Sequence, residues 1–291
     1  LAAKISLKYS KSNIILLSPF TIPEVISLVV KAGAKPIFLD NERNSTNLKI
    51  SELIQEIKKS PAALVITHYH INQKDYEKIH KLCKKFKTIL IEDCAISYTG
   101  KSNNSKIGTL SDFSIYSFST FKFINFFYAG AIAYNKKFSN KIYKETLNWI
   151  KLSPVNYFSK FLATIKFDIL TNKYVFNFIT IYLLKFLAKR NLDILDKKKY
   201  LSETFKLDKT YFSKPANIAL NEIYNKIKNY NVELRHRQKI ARIYFKYLKN
   251  ITVPKYKSDE LIIKDNAFLH YLIIGNSQFH KNKLKKKLLI R

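Results

Sequence analysis

Two residues of this sequence could do chemistry together. Asp93 closes the apolar run TILIED (88–93), and Lys122 sits inside the aromatic run YSFSTFKFINFFYAG (116–130). A lysine in apolar surroundings has a lowered proton affinity and can act as an amine nucleophile. A carboxylate at the end of a buried strand sits at a sheet edge facing a cleft. The pair is what pyridoxal phosphate requires: the carboxylate keeps the pyridine nitrogen protonated so that the ring accepts electrons, and the lysine holds the aldehyde and later moves the proton. Both residues also have an ordinary alternative as solvated surface groups, a lysine by snorkelling.

Other chemistries lack their residues. The five glycines, at 33, 100, 108, 130 and 275, form no GxGxxG and no P-loop pattern. The six histidines form no HExxH, and no GxSxG occurs. His68 and His70 lie two apart at a strand end, with no carboxylate or cysteine nearby to complete a metal set. They read as structural or substrate-lining, and no metal is expected.

The elements that must position Asp93 and Lys122 alternate strand and helix. IILLSP (14–19), PIFLD (36–40), AALVITH (62–68), TILIED (88–93), DFSIYSFS (112–119) and AGAIAYN (129–135) read as strands. PEVISLVVKAGAK, ISELIQEIKKS and DYEKIHKLCKKF carry helical spacing, with Pro23 suited to a first turn. This predicts an α/β fold, a mostly parallel sheet covered by helices, with ligands at the carboxyl ends of the strands. A helix carrying Trp149 is expected over 137–153, and a long helix over 218–249. Strand-like ITVPKY and FLHYLIIG after it suggest a small C-terminal α+β domain. The expected units are 1–150, a large cofactor-binding domain; 151–200, an apolar and basic helical insert; and 201–291, the smaller domain.

Charge and composition exclude little else. Hydrophobic residues make up 47% of the chain, enough for a globular core. The two cysteines, Cys83 and Cys94, give no disulfide framework, as in a reducing cytosol. The net charge is +31, yet only six of the 52 basic residues are arginine, the residue that reads base edges. Dispersed lysine reads as solvation, and no nucleic-acid partner is expected. The segment 154–190 is apolar, aromatic and basic, with no uncharged run long enough to span a bilayer. It reads as a helical pair packing on the large domain or on a partner, or as a membrane-surface element. The chain opens at Leu1, contains no methionine and ends in KKKLLIR, so further residues are expected upstream and downstream.

Several of these segments, in order, resemble the DegT/StrS-type sugar aminotransferases, pyridoxal-phosphate enzymes of fold type I. PFTIPEVISLVVKAGAKPIFLD, VITHYHINQKDYEKI, IEDCAISYTGKSNNSKIGTLSDFSIYSFSTFK, FYAGAIAYN and ELRHRQKIARIYFKYL carry the likeness. The resemblance implies that Lys122 would hold the cofactor's aldehyde carbon and that Asp93 would pair with the pyridinium nitrogen. Ser117 would bind the cofactor phosphate, and Ala95 would pack against the ring face. Departures stand beside the match. Ile96 occupies a position usually Gln or His, Ile22 one often aromatic, Ile71 and Ala129 usual glycines, and Lys214 the place of a late arginine. The family's Ser-Gly-Thr phosphate loop precedes the segment equivalent to residues 1–10.

The resemblance implies a cytoplasmic homodimer that transfers an amino group, with glutamate as donor, to a nucleotide-linked keto sugar. The related dehydratases carry histidine in place of Lys122. A different class remains open: a catalytically degenerate relative acting as a binding or membrane-associated scaffold.

Overall fold

The run ALVIT is apolar at all but its last position, and strand β3 (Ala63–Thr67) is buried along its whole length. That is the signature of a central parallel strand covered on both faces. The computed structural model describes residues 1–69, 73–98, 100–102, 105–119, 122–126, 129–151, 154–189, 209–215, 217–248 and 259–270. Around β3 the chain runs α1 (Ala2–Lys8), β1 (Ile14–Leu17), α2 (Pro23–Lys31), β2 (Lys35–Phe38) and α3 (Ile50–Ile57) before it. After it come α4 (Tyr76–Lys85), β4 (Ile89–Asp93), a short antiparallel pair β5 (Lys101–Ser102) and β6 (Ser105–Lys106), β7 (Phe113–Ser117) and β8 (Gly130–Tyr134).

The main sheet has the order β2-β1-β3-β4-β7-β8. Every pairing in it is parallel except that of β7 with the edge strand β8. Period-2 alternation splits the strands between two cores. Ile15, Leu17, Ala63, Val65, Ile89, Ile91 and Phe113 pack with α1, α2 and the helix α5 (Ser139–Thr146). Leu16, Leu64, Ile66 and Leu90 face α3 and α4 on the other side. Pro23 stands in the first turn of α2, where its missing N–H costs nothing. Gly33, at φ +93°, turns the chain out of α2 into β2. Glu145 on α5 accepts from Lys4 at 2.8 Å and from Lys8, pinning α1 over the sheet.

Two sequence expectations change here. The helix expected over 137–153 is only α5. It stops at Thr146, and Trp149 lies in the turn beyond, edge-on to Phe212 at 6.3 Å. The chain then commits to a two-residue parallel bridge, β9 (Ile150–Lys151) with β10 (Ser213–Lys214). The long helix expected over 218–249 is two helices, α9 (Asn217–Lys228) and α10 (Tyr230–Leu248). The break falls at Asn229, whose carbonyl accepts the Val232 N–H at 3.2 Å in a tighter turn and whose side-chain amide donates to the Asn225 carbonyl.

Between β9 and β10 lie α6 (Pro154–Thr171), α7 (Lys173–Val175), a π-helical stretch Phe176–Thr180 and α8 (Ile181–Lys189). The last helix, α11 (Asp259–Asp265), packs on α10 through Ile263, Ala241 and Phe245. ITVPKY lies outside the described residues, as does FLHYLIIG beyond His270; residues 268–270 form no strand.

Leu64 has no solvent exposure and sits in the strand that both cores share. Leu64→Ala should lower the unfolding free energy in urea by about 2–5 kcal/mol. A loss below about 1 kcal/mol would contradict a central position for β3.

Candidate active site at the carboxyl edge of the sheet

Parallel pairing brings the last residues of successive strands to one edge. Thr67 is in register with Asp93, and Asp93 with Ile115. Thr67, Asp93 and Ser117 follow the odd-numbered face of their strands, so the three polar groups share one side of one edge. Asp93 is half-buried, and its Oδ1 accepts the Ala95 N–H at 3.0 Å. Burial raises its carboxyl above the ordinary range, opposed by the Ala95 N–H and by the positive charge of Lys122. Lys122 is thus near enough to act on Asp93 electrostatically. Ser117 is half-buried and donates to the Ser119 hydroxyl at 3.4 Å. Ala95, beside Asp93, is half-buried.

The segment that carries Lys122 is held at several points. Phe118 N–H donates to the Ala129 carbonyl at 2.8 Å, and Phe126 N–H to the Phe118 carbonyl at 2.7 Å. Lys122 N–H closes a turn onto the Ser119 carbonyl at 3.0 Å. Phe118, Phe123 and Ile124 are buried against Ile223 of α9 and Ala267. Lys226 of α9 donates to both the carbonyl and the side chain of Asn125, at 2.6 and 2.8 Å. The expectation of a buried lysine is therefore modified. Its aromatic neighbours are the buried groups, packed against the C-terminal helices, while Lys122 itself is half-buried.

The edge holds polar atoms with nothing to bond. The hydroxyl oxygens of Ser18, Thr21 and Thr67 are buried with no hydrogen-bond partner among the described residues. Ser18 and Thr21 follow β1, and the topological switch point lies between β1 and β3. Buried hydroxyls are almost always paired, so the orphan at Thr67, in register with Asp93 on the same face, marks a place for a polar ligand. Tyr69, just past β3, has its ring 5.7 Å from Phe20 and stacks at 6.0 Å on His270, which brings the chain past α11 to the same edge. A carboxylate at Asp93 to meet a ring nitrogen, the amine of Lys122 near it, the small Ala95 next to it and the hydroxyls of Ser117 and Thr67 are together a set that a pyridoxal phosphate needs, and the residues present fit that group. Alternation along AALVITH and TILIED could have placed Thr67 beside Asp93; Ser18 and Thr21 carry no such signal.

Strand register also brings together side chains that lie apart in the sequence. The β3–β4 register brings His68, Glu92 and Cys94 together, with one ligand atom of each within 4.8 Å of the others. These residues face the α4 side, opposite Asp93. Glu92 has no exposure, and it accepts from His68 Nε2 at 3.1 Å, from Gly108 N–H at 2.8 Å and from the Tyr76 hydroxyl. His68 Nδ1 accepts the Gln73 N–H at 3.2 Å, which leaves the ring proton on Nε2 for Glu92. Burial, with Glu92 and Asp93 close by, pushes the Cys94 thiol well up, so it stays protonated. The cluster is a hydrogen-bond network in which both ring nitrogens of His68 are bonded. A Cβ on Gly108 would overlap the Tyr116 hydroxyl, and its φ of +83° favours glycine besides. His70 lies outside the described residues.

Comparison with known proteins agrees with the motif order. Residues 1–148 match the DegT/DnrJ/EryC1/StrS aminotransferase family. The chain belongs to that family. GDP-perosamine synthase of Escherichia coli O157:H7 is 27% identical over 135 residues, 46% of this chain and 37% of that protein. The chain thus aligns with little more than a third of that relative's length. Helicobacter pylori PseC, an aminotransferase involved in the biosynthesis of pseudoaminic acid, has the same fold. It superposes with a TM-score of 0.64 at 17% identity over 98% of this chain and 67% of its own. An E. coli GDP-4-keto-6-deoxy-D-mannose-3-dehydratase with bound hydrated PLP superposes at 0.65 and 15% identity, over 99% of this chain and 67% of its own. Against the DegT pattern, Ile96 is half-buried beside Ala95 and offers no hydrogen bond, and Ile22 is 43% exposed.

Glu92 sets a pH dependence for this DegT-family fold. Burial alone would raise its carboxyl, but hydrogen bonds from His68, Tyr76 and Ser111 hold it below the ordinary value of 4.5. A depressed carboxylate stabilises the fold above its unfolded value and loses that contribution as pH falls. Glu92→Gln should cost roughly 1–3 kcal/mol at pH 7. In urea titrations the gap to the parent should narrow below pH 4.5. A gap independent of pH would show that Glu92 is not ionised.

Proposed function

We propose that this chain carries the cofactor-binding core of a pyridoxal-phosphate-dependent aminotransferase. It transfers an amino group, with glutamate the donor, to a nucleotide-linked keto sugar destined for cell-surface polysaccharide, as a cytoplasmic homodimer. The observation that carries this reading is the convergence of Asp93, Ser117 and Lys122 at one strand edge beside the unpartnered Thr67 hydroxyl. Family membership supports the reaction class, and the name GDP-perosamine synthase supports a nucleotide-sugar substrate.

Pyridoxal phosphate, when bound, supplies an electron-accepting ring and a carrier for the amino group. The protein supplies the rest. Asp93 holds a proton on the pyridine nitrogen, and its partial burial strengthens that contact. Lys122 would hold the aldehyde carbon, and its amine would carry a proton, from a loop whose aromatic base keeps it in place. Ser117 donates its hydroxyl to the phosphate. Ala95 leaves room for a flat ring next to Asp93. A degenerate scaffold is the second reading, favoured by Ile96, which cannot bond the ring's phenolic oxygen.

Incubation with pyridoxal phosphate, borohydride reduction and peptide mapping should give a single adduct on Lys122, absent in Lys122→Ala. Scattered adducts on many lysines would favour the scaffold. Asp93 gives a second test with the sign fixed by linkage. Its carboxyl is raised from 3.8, so its contribution to stability is present at low pH and lost as pH rises. Asp93→Asn should therefore raise the thermal midpoint of the cofactor-free protein at pH 7 while removing most turnover. Full activity of that variant would refute the pyridinium assignment.

A further inference from the structure

The segment α6–α8 forms a helical hairpin that leaves its apolar residues in solvent. Phe158, Leu162 and Ile165 on α6 follow helical spacing i, i+4, i+7 and are 58%, 41% and 37% exposed. On the return leg Phe178, Tyr182 and Phe186, spaced i, i+4, i+8, are 75%, 64% and 50% exposed. The two legs are joined near the tip, where the Thr180 hydroxyl donates to the Leu170 carbonyl at 2.8 Å and Asn172 caps α7 by accepting the Tyr174 N–H at 3.1 Å. Ile169, Ile179 and Leu183 are exposed beside these apolar residues. A contiguous exposed apolar surface of this kind marks an interaction site.

We propose that this hairpin docks in the plane of an anionic phospholipid bilayer. Charge selects the occupant. Residues 154–189 hold five lysines against one acid, Asp168, within a chain of net charge +31. A second copy would bring equal positive charge onto the same surface, whereas anionic headgroups neutralise it. Lys185 Nζ lies 5.7 Å from the Tyr182 ring, the pairing of aromatic body and cationic tip that suits a headgroup boundary. No described helix is long and apolar enough to cross a membrane, which fits a hairpin lying at the surface.

The test is co-sedimentation of the full chain with vesicles of equal phosphatidylcholine and phosphatidylglycerol, and with vesicles of phosphatidylcholine alone. Binding is expected on the anionic vesicles and much weaker on the neutral ones. A triple variant, Phe178→Ser, Tyr182→Ser and Phe186→Ser, should weaken partitioning by on the order of tenfold or more, with the thermal midpoint read alongside as the control for folding. Lys173→Glu, at the tip, should weaken it by roughly fivefold or more. No binding to anionic vesicles would overturn the proposal. So would undiminished binding of the triple variant, which would leave only the general charge of the chain. A dimer in light scattering that the triple variant dissociates, without vesicle binding, would assign the hairpin to a second copy instead.

Discussion

A buried carboxylate governs the geometry of this edge. Glu92 and Asp93 are neighbours in sequence, and a strand sends neighbours to opposite faces. Glu92 therefore enters a core with no water, where an ionised group survives only if its bonds are met. His68 from the end of β3, Tyr76 from α4 and the Gly108 backbone meet them. Those donors come from three separate segments, so satisfying Glu92 ties β3, β4, α4 and the approach to β7 together. Asp93 inherits its orientation from that tie. The acid that does no chemistry holds in place the one that can.

The two helices at the far end of the chain serve the same edge from the other direction. Phe118, Phe123 and Ile124 are apolar enough to bury, and they do so against α9 and Ala267 rather than in the sheet's own core. Tyr98, in the loop after Asp93, contacts Tyr116, Phe118, Phe123 and Tyr230 through its ring. Arg237 of α10 lies 5.4 Å above the Phe123 ring. The position of Lys122 thus depends on residues more than a hundred places later in sequence.

That dependence explains what could be read in advance. Apolar runs such as ALVIT and IILL determine strands through local pattern, and the alternation of strand and helix leads to the parallel sheet. Asp93 and Ser117 are legible because each ends such a run. Glu92 was not, because its bonding partner His68 is joined to it by strand register, a contact between segments. The break at Asn229 was hidden because helical spacing continues through it, and only the side chain's bond to Asn225 reveals the turn. Trp149 lies outside its expected helix because a bridge to residues more than sixty places on takes over the chain there.

The unpartnered hydroxyls of Ser18, Thr21 and Thr67 have a consequence for the life of the protein in a cell. Each is desolvated without compensation, and Asp93 adds a carboxylate that burial disfavours. A ligand that answered Thr67 and Asp93 would bind the folded chain and not the unfolded one, and so would shift the folding equilibrium by mass action. Chains that have found it open less often, and chains that have not are exposed more often to proteases. Through this edge, the supply of the small molecule would set how much of the protein persists.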